Sequence, residues 1–168
     1  AICFHKDTMI TTDQGNILVS NLTSKHTIEG SKVIYLIKSQ IKPKKLVKIK
    51  KHAFGFNKPN NDIMITKNHT IFINNKLTPI GYYINNKTIS LVYNNCDVYN
   101  IMLLNKKMIT IHNLQLGVIN VSNDQFKLLN DSLQDDNQKN LFCSINPIND
   151  TNILRTKLNL DLIQIKQF

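Results

Sequence analysis

The apolar residues of this chain come in short runs rich in Ile, Val, Tyr and Thr, each closed off by Asn, Lys, Gly or Asp. Residues 9–12, 17–19, 32–37, 63–66, 70–73, 88–93 and 98–103 are the clearest of these runs. β-Branched and aromatic side chains suit the pleated, half-buried surface of a sheet and lose rotamer freedom in a helix, so each run is expected to be a strand. Asp13-Gln14-Gly15-Asn16 and Asn74-Asn75-Lys76 separate neighbouring runs at hairpin distances. Gly and Asn tolerate the positive φ that such turns demand. Many short strands with turns between them predict an all-β domain of sandwich, barrel or related type. No repeat of fixed period is present, which argues against solenoids and propellers.

The texture changes after Ser122. Asn123-Asp124 is a helix start, and Phe126, Leu129 and Leu133 fall on one helical face. The acidic, Asn-rich stretch 131–140 reads as a loop, and Ile153-Leu154 and residues 160–165 as two further strands. The expected organisation is therefore a domain over residues 1–122 and a small extension, 123–168, containing a helix. Leu162, Ile163 and Ile165 argue that the extension packs on the domain.

Composition sets the class. Of 168 residues 42% are hydrophobic and 19% charged, which supports a packed core and excludes the disordered class. The net charge of +10 is almost all lysine: Arg155 is the only arginine and Glu29 the only glutamate. The abundance of Asn, Ile and Lys looks like the codon bias of an AT-rich genome, so the charge says little about nucleic acid. The lysine-rich stretch 42–51, followed by Phe54 and Phe56, is the one candidate basic patch. It reads better as a solvated strand on which Leu46, Val47 and Ile49 pack. No apolar run approaches the roughly 18 residues of a membrane span, and no signal-peptide core is present, so a soluble protein of a reducing compartment such as the cytoplasm is expected. Cys3, Cys96 and Cys143 are too few and too odd in number for a disulfide framework; they fit a reducing compartment or one reactive thiol. Cys96 and Cys143 read as structural, Cys143 being the better candidate for an exposed thiol. No cofactor or metal is expected, since no two of the five histidines and three cysteines stand at finger spacing.

The opening segment, Cys3-Phe4-His5-Lys6-Asp7-Thr8-Met9-Ile10-Thr11-Thr12-Asp13-Gln14-Gly15, places a cysteine directly before a strand and a hairpin turn. It resembles the first block of the Hint superfamily of hedgehog autoprocessing domains and inteins. Cys3 matches the nucleophile, Asp7-Thr8 a characteristic pair, and Gly15 the turn. Downstream, Thr66-Lys67-Asn68-His69 is similar to the Thr-x-x-His motif of the second block, and Leu77-Thr78-Pro79-Ile80 to the segment that follows it. Residues 98–103, 108–111 and 116–120 resemble the closing strand pair. The three blocks stand in order and span residues 3 to 122.

The resemblance implies a horseshoe-like Hint fold of short strands and an autocatalytic activity in cis on the chain's own upstream polypeptide. The scissile bond would be Ile2–Cys3. A cysteine whose own nitrogen forms the bond is well placed to attack the Ile2 carbonyl, giving a thioester by an N-to-S acyl shift. The amide nitrogen is a poor leaving group, and the resemblance gives His69 the task of protonating it. Thr66 would hydrogen-bond the amide or the oxyanion. His5, two residues from Cys3, falls on the thiol's side of a strand but is expected to be a surface residue.

The fate of the thioester stays open. Splicing in inteins needs a terminal His-Asn followed by Ser, Cys or Thr. Here Asn120 lies between Ile119 and Val121, and His112-Asn113 precedes Leu114. Asn100 replaces the aspartate of the closing block, with Asp97 nearby. Asp97, Asn100, His112, Asn113 and Asn120 are thus accessory candidates, and cleavage by water or another nucleophile is the favoured outcome. The alternatives are full splicing through Asn cyclisation and a non-catalytic basic β-domain that binds nucleic acid. A monomer is expected, too short to hold an inserted endonuclease.

Overall fold

A computed structural model describes residues 2–132 and 145–146. In chain order the elements are β1 (Phe4–His5), β2 (Met9–Thr12), β3 (Gly15–Leu18), β4 (Thr27–Ile28), β5 (Ser31–Ile49), β6 (Ile63–Thr66), β7 (Thr70–Ile73), β8 (Lys76–Pro79), β9 (Ile89–Leu104), β10 (Met108–Ile111), β11 (Leu114–Gly117), β12 (Ile119–Val121), α1 (Asn123–Ser132) and β13 (Ile145–Asn146). The expected all-β architecture with one short helix is what the chain adopts.

Local chemistry closes the hairpins. Between β2 and β3, Gly15 takes φ +111°, the Thr12 hydroxyl donates to the Gly15 carbonyl at 2.6 Å, and Gln14 N–H donates back to Thr12 Oγ1 at 3.1 Å. Asn74 and Asn75 turn β7 into β8 with φ of 54° and 61°, and His112 and Asn113 turn β10 into β11 with φ of 48° and 70°. Two consecutive positive φ values match the twist of the flanking strands, a conformation Asn and His adopt more readily than most residues.

The largest sheet runs in the order β12-β9-β1-β6-β5-β13. Because β5 also pairs antiparallel with β9 along most of its length, β9, β1, β6 and β5 close a ring. A second sheet runs β10-β11-β7-β8, and β2 pairs with β3. Two interruptions expected from the sequence are absent. Residues 32–37 and 42–49 belong to the single strand β5, and 88–93 and 98–103 largely to β9. Pairing with a long neighbour overrides the weak strand propensity of Pro43 and Asn94-Asn95. The ladder absorbs the strain as a register shift between Ile41 and Lys44, beside the residue that has no N–H to give.

Among the described residues three clusters fill the interior. The main core gathers Phe4, Ile10, Ile65, Ile71, Tyr99, Leu103 and Leu116 among others. A second, of Ile34, Tyr35, Ile37, Met102 and Val121, is joined by Phe126 of α1. A third unites Cys3, Leu46, Cys96 and Val98. Leu46, Val47 and Ile49 are fully buried, as the solvated-strand reading of the lysine-rich stretch requires. Helix α1 starts where expected, but its cap is Ser122: Gln125 N–H donates to Ser122 Oγ at 3.1 Å, and Ser122 N–H to Gln125 Oε1 at 2.9 Å. This reciprocal pair is a capping box. Leu133, most of the 131–140 loop, Cys143 and the two strands expected at 153–154 and 160–165 lie outside the described residues. Among the described residues no helix is long and apolar enough to cross a membrane.

Candidate functional site

Antiparallel pairing of β1 with β6, Phe4 opposite Ile65, carries Cys3 to the end of β6 and against Thr66. Cys3 N–H donates to Thr66 Oγ1 at 3.0 Å, and Thr66 N–H donates to the Cys3 carbonyl at 3.0 Å. The amide nitrogen of the Ile2–Cys3 bond is thus gripped by a side chain 63 residues away. Cys3 itself is 1% exposed.

From Thr66 the chain turns tightly, His69 N–H donating to the Thr66 carbonyl at 2.9 Å. The Thr-x-x-His spacing is therefore one turn that returns the imidazole to Cys3. His69 is fully buried, with Phe4 in edge contact at 4.5 Å between ring centroids. Its Nδ1 lies 3.1 Å from the Cys3 carbonyl oxygen and its Nε2 2.8 Å from the Gly117 carbonyl oxygen. Burial pushes its pKa down to about 4, while the two carbonyls pull it the other way. Both neighbours are acceptors, yet a neutral imidazole carries one proton. The ring thus stands between a burial that disfavours its charge and partners that favour it.

Cys3, Thr66 and His69, which the sequence singles out, are brought together. The accessory candidates are not. Asn100 comes nearest: β1 pairs with β9, Phe4 opposite Tyr99, so Asn100 falls on the face of β9 that Cys3 shares. It is buried, and its Oδ1 finds no partner among the described residues. Asp97 is half-buried and held by Lys38 Nζ at 3.4 Å. His112 and Asn113 form the β10–β11 turn, Asn113 donating to the Asn57 carbonyl at 3.0 Å. Asn120 is exposed on β12, opposite Leu103. His5 corrects the surface expectation: it is buried, its Nδ1 accepts Asp7 N–H at 3.1 Å, and the Asn94 amide lies 3.3 Å from its Nε2. The Asp7 backbone and the Asn94 side chain meet its two ring nitrogens, so the imidazole is covered instead of facing solvent. Cys96 is buried in the cluster that contains Cys3.

Gly117 is the site residue that sequence reasoning missed. It lies within residues 116–120, which count above only as part of the closing strand pair, although the chain has just five glycines and this one ends a strand of otherwise alternating burial. Among the described residues no three His, Cys, Asp or Glu side chains converge as a metal centre.

No protein-family model matches this chain, and no curated protein matches it. Solved structures do. The DnaB intein from Synechocystis sp. PCC 6803 superposes with a TM-score of 0.53 at 12% identity, over 69% of this chain and 97% of that one. A mutant of an Ssp DnaB mini-intein variant gives a TM-score of 0.53 at 11% identity, over 70% of this chain and 92% of that one. Identity so low speaks for the fold rather than the chemistry, and the fold of this chain is the hedgehog/intein (Hint) fold.

Proposed function

We propose that this chain is a self-cleaving Hint domain that breaks its own Ile2–Cys3 bond through a Cys3 thioester, acting in cis on the polypeptide upstream. The observation that carries this reading is the grip of Thr66 Oγ1 on the Cys3 amide N–H, with His69 packed against the same residue. A hydroxyl held there restrains the amide whose nitrogen must become the leaving group. Cys3 Sγ attacks the Ile2 carbonyl as its proton passes to the His69 nitrogen that faces Cys3, and the C–N bond breaks as the Cys3 nitrogen takes that proton up. His69 is the group for that transfer. Its Nδ1 faces the Cys3 carbonyl rather than the nitrogen, so delivery requires a small shift of ring or backbone.

Cleavage by water or another nucleophile fits better than splicing. Asn120 points to solvent from a strand paired with β9, far from being poised for cyclisation. Immediately beyond it Val121 is buried and accepts Asn105 N–H at 2.7 Å, and Ser122 caps α1. The stretch that a splicing reaction must free is thus built into the fold. We read residues 1–122 as the processing domain and 123–168 as an extension that completes its packing.

The test is a reporter fused upstream of Ala1 and incubated with a strong thiol. Release from wild type and none from Cys3→Ala is expected; equal release from both would overturn the proposal.

A further inference from the structure

Gly117 stands at the end of β11 directly across from Thr70, since Leu116 pairs with Ile71 in the antiparallel β11–β7 ladder. Thr70 follows His69 in sequence and opens β7, so one strand start fixes both the imidazole and the side chain facing Gly117. A Cβ added at Gly117 would fall on Thr70 Oγ1, whereas Thr70 Cβ would lie an ordinary 3.5 Å away. The glycine is buried and its φ is not positive, so its requirement here is space, not backbone conformation. That space lets β11 approach β7 closely enough to set the Gly117 carbonyl 2.8 Å from His69 Nε2.

Of the two carbonyl contacts this one is the shorter, 2.8 Å against 3.1 Å. Both lie within the N–H···O range, and the closer carbonyl repels an unprotonated nitrogen more strongly, which makes it the better acceptor for the ring's one proton. The Cys3 carbonyl already accepts Thr66 N–H at 3.0 Å and lies farther from the ring, at 3.1 Å. We propose that Gly117 is a positioning residue: its carbonyl holds the His69 proton on Nε2 and turns the bare Nδ1 toward Cys3, and Thr70 makes glycine the residue that fits. As a positioning role in self-cleavage it rests on the function proposed above. The claim about the ring's tautomer does not.

The test therefore reads the ring and the reaction separately. Imidazole 15N and 13C shifts are recorded on the full chain carrying Cys3→Ala, which keeps the Ile2–Cys3 peptide bond in place. His69 is expected as the Nε2–H tautomer; a proton found on Nδ1 overturns the proposal, whatever any variant does. Adding Gly117→Ala should mix the tautomers, and adding Thr70→Ala to it should restore the original signature, because the obstructing hydroxyl is gone. In the reporter fusion with Cys3 present, Gly117→Ala should slow release by roughly a hundredfold, the scale of an ångström of misplacement at a reacting group. The Thr70→Ala/Gly117→Ala pair should recover most of that loss. A folded Gly117→Ala chain with wild-type shifts, or a pair that stays as impaired as the single variant, overturns the proposal. Should Gly117→Ala fail to fold, the wild-type tautomer and the folded pair still decide. A wild type that releases nothing while keeping the Nε2–H tautomer would sink the cleavage reading and leave the Gly117 assignment standing.

Discussion

His69 costs the fold something that Cys3 and Thr66 do not. Unfolded, its imidazole takes a proton below pH 6.5; folded, it resists until about pH 4. Stability that is present above 6.5 is therefore lost as pH falls toward 4, amounting to about 3 kcal/mol from this one group. Urea unfolding at pH 7 and pH 4 should show that loss in wild type and a smaller one in His69→Gln. His5 is shifted the same way by burial, but it is present in both chains and cancels in the comparison. Equal losses in the two chains would contradict the buried neutral ring. At this scale the sequence was partly legible: Thr66 and His69 stand in a local motif that one turn explains, and Cys3 was found by its place before a strand. Gly117 was not legible, because what makes it matter is a neighbour 47 positions away, Thr70, reached only through the β7–β11 pairing.

Among the elements, β2, β6 and β7 coincide with runs read from residue type alone, since each is short and bounded by its own turn. The long strands were legible only in pieces. No local signal tells Pro43 or Asn94-Asn95 that a partner strand will carry the ladder through them. The two-residue strand β1 is not among those runs for a similar reason, existing because β6 and β9 hold it from either side. Helix α1 depends on local chemistry again. Ser122→Ala removes one half of its capping box and should lower local stability by about 1 kcal/mol, read as faster amide exchange over Asn123–Ser132. Unchanged exchange would mean that the reciprocal Asn105–Asn123 contacts, at 2.8 and 3.2 Å, suffice to anchor the helix start.

On the scale of the whole molecule, Asn120 sits inside a strand of the largest sheet and a later described strand joins that sheet too: β12 lies parallel to β9, and β13 lies parallel to β5. With reporters at both ends, the upstream one should be released and no ligated product should form; a ligated product on a denaturing gel would restore splicing. The closed ring of β9, β1, β6 and β5 bears on timing. Cys3 stands just before the first strand made, whereas the hydroxyl and the imidazole against it come from Thr66 and His69, and the carbonyl behind that imidazole from Gly117. A ribosome has to deliver nearly the whole domain before the site exists, and a chain that misfolds never assembles it. The cut would then be a receipt: an upstream segment set free is one whose downstream domain has been finished and correctly closed.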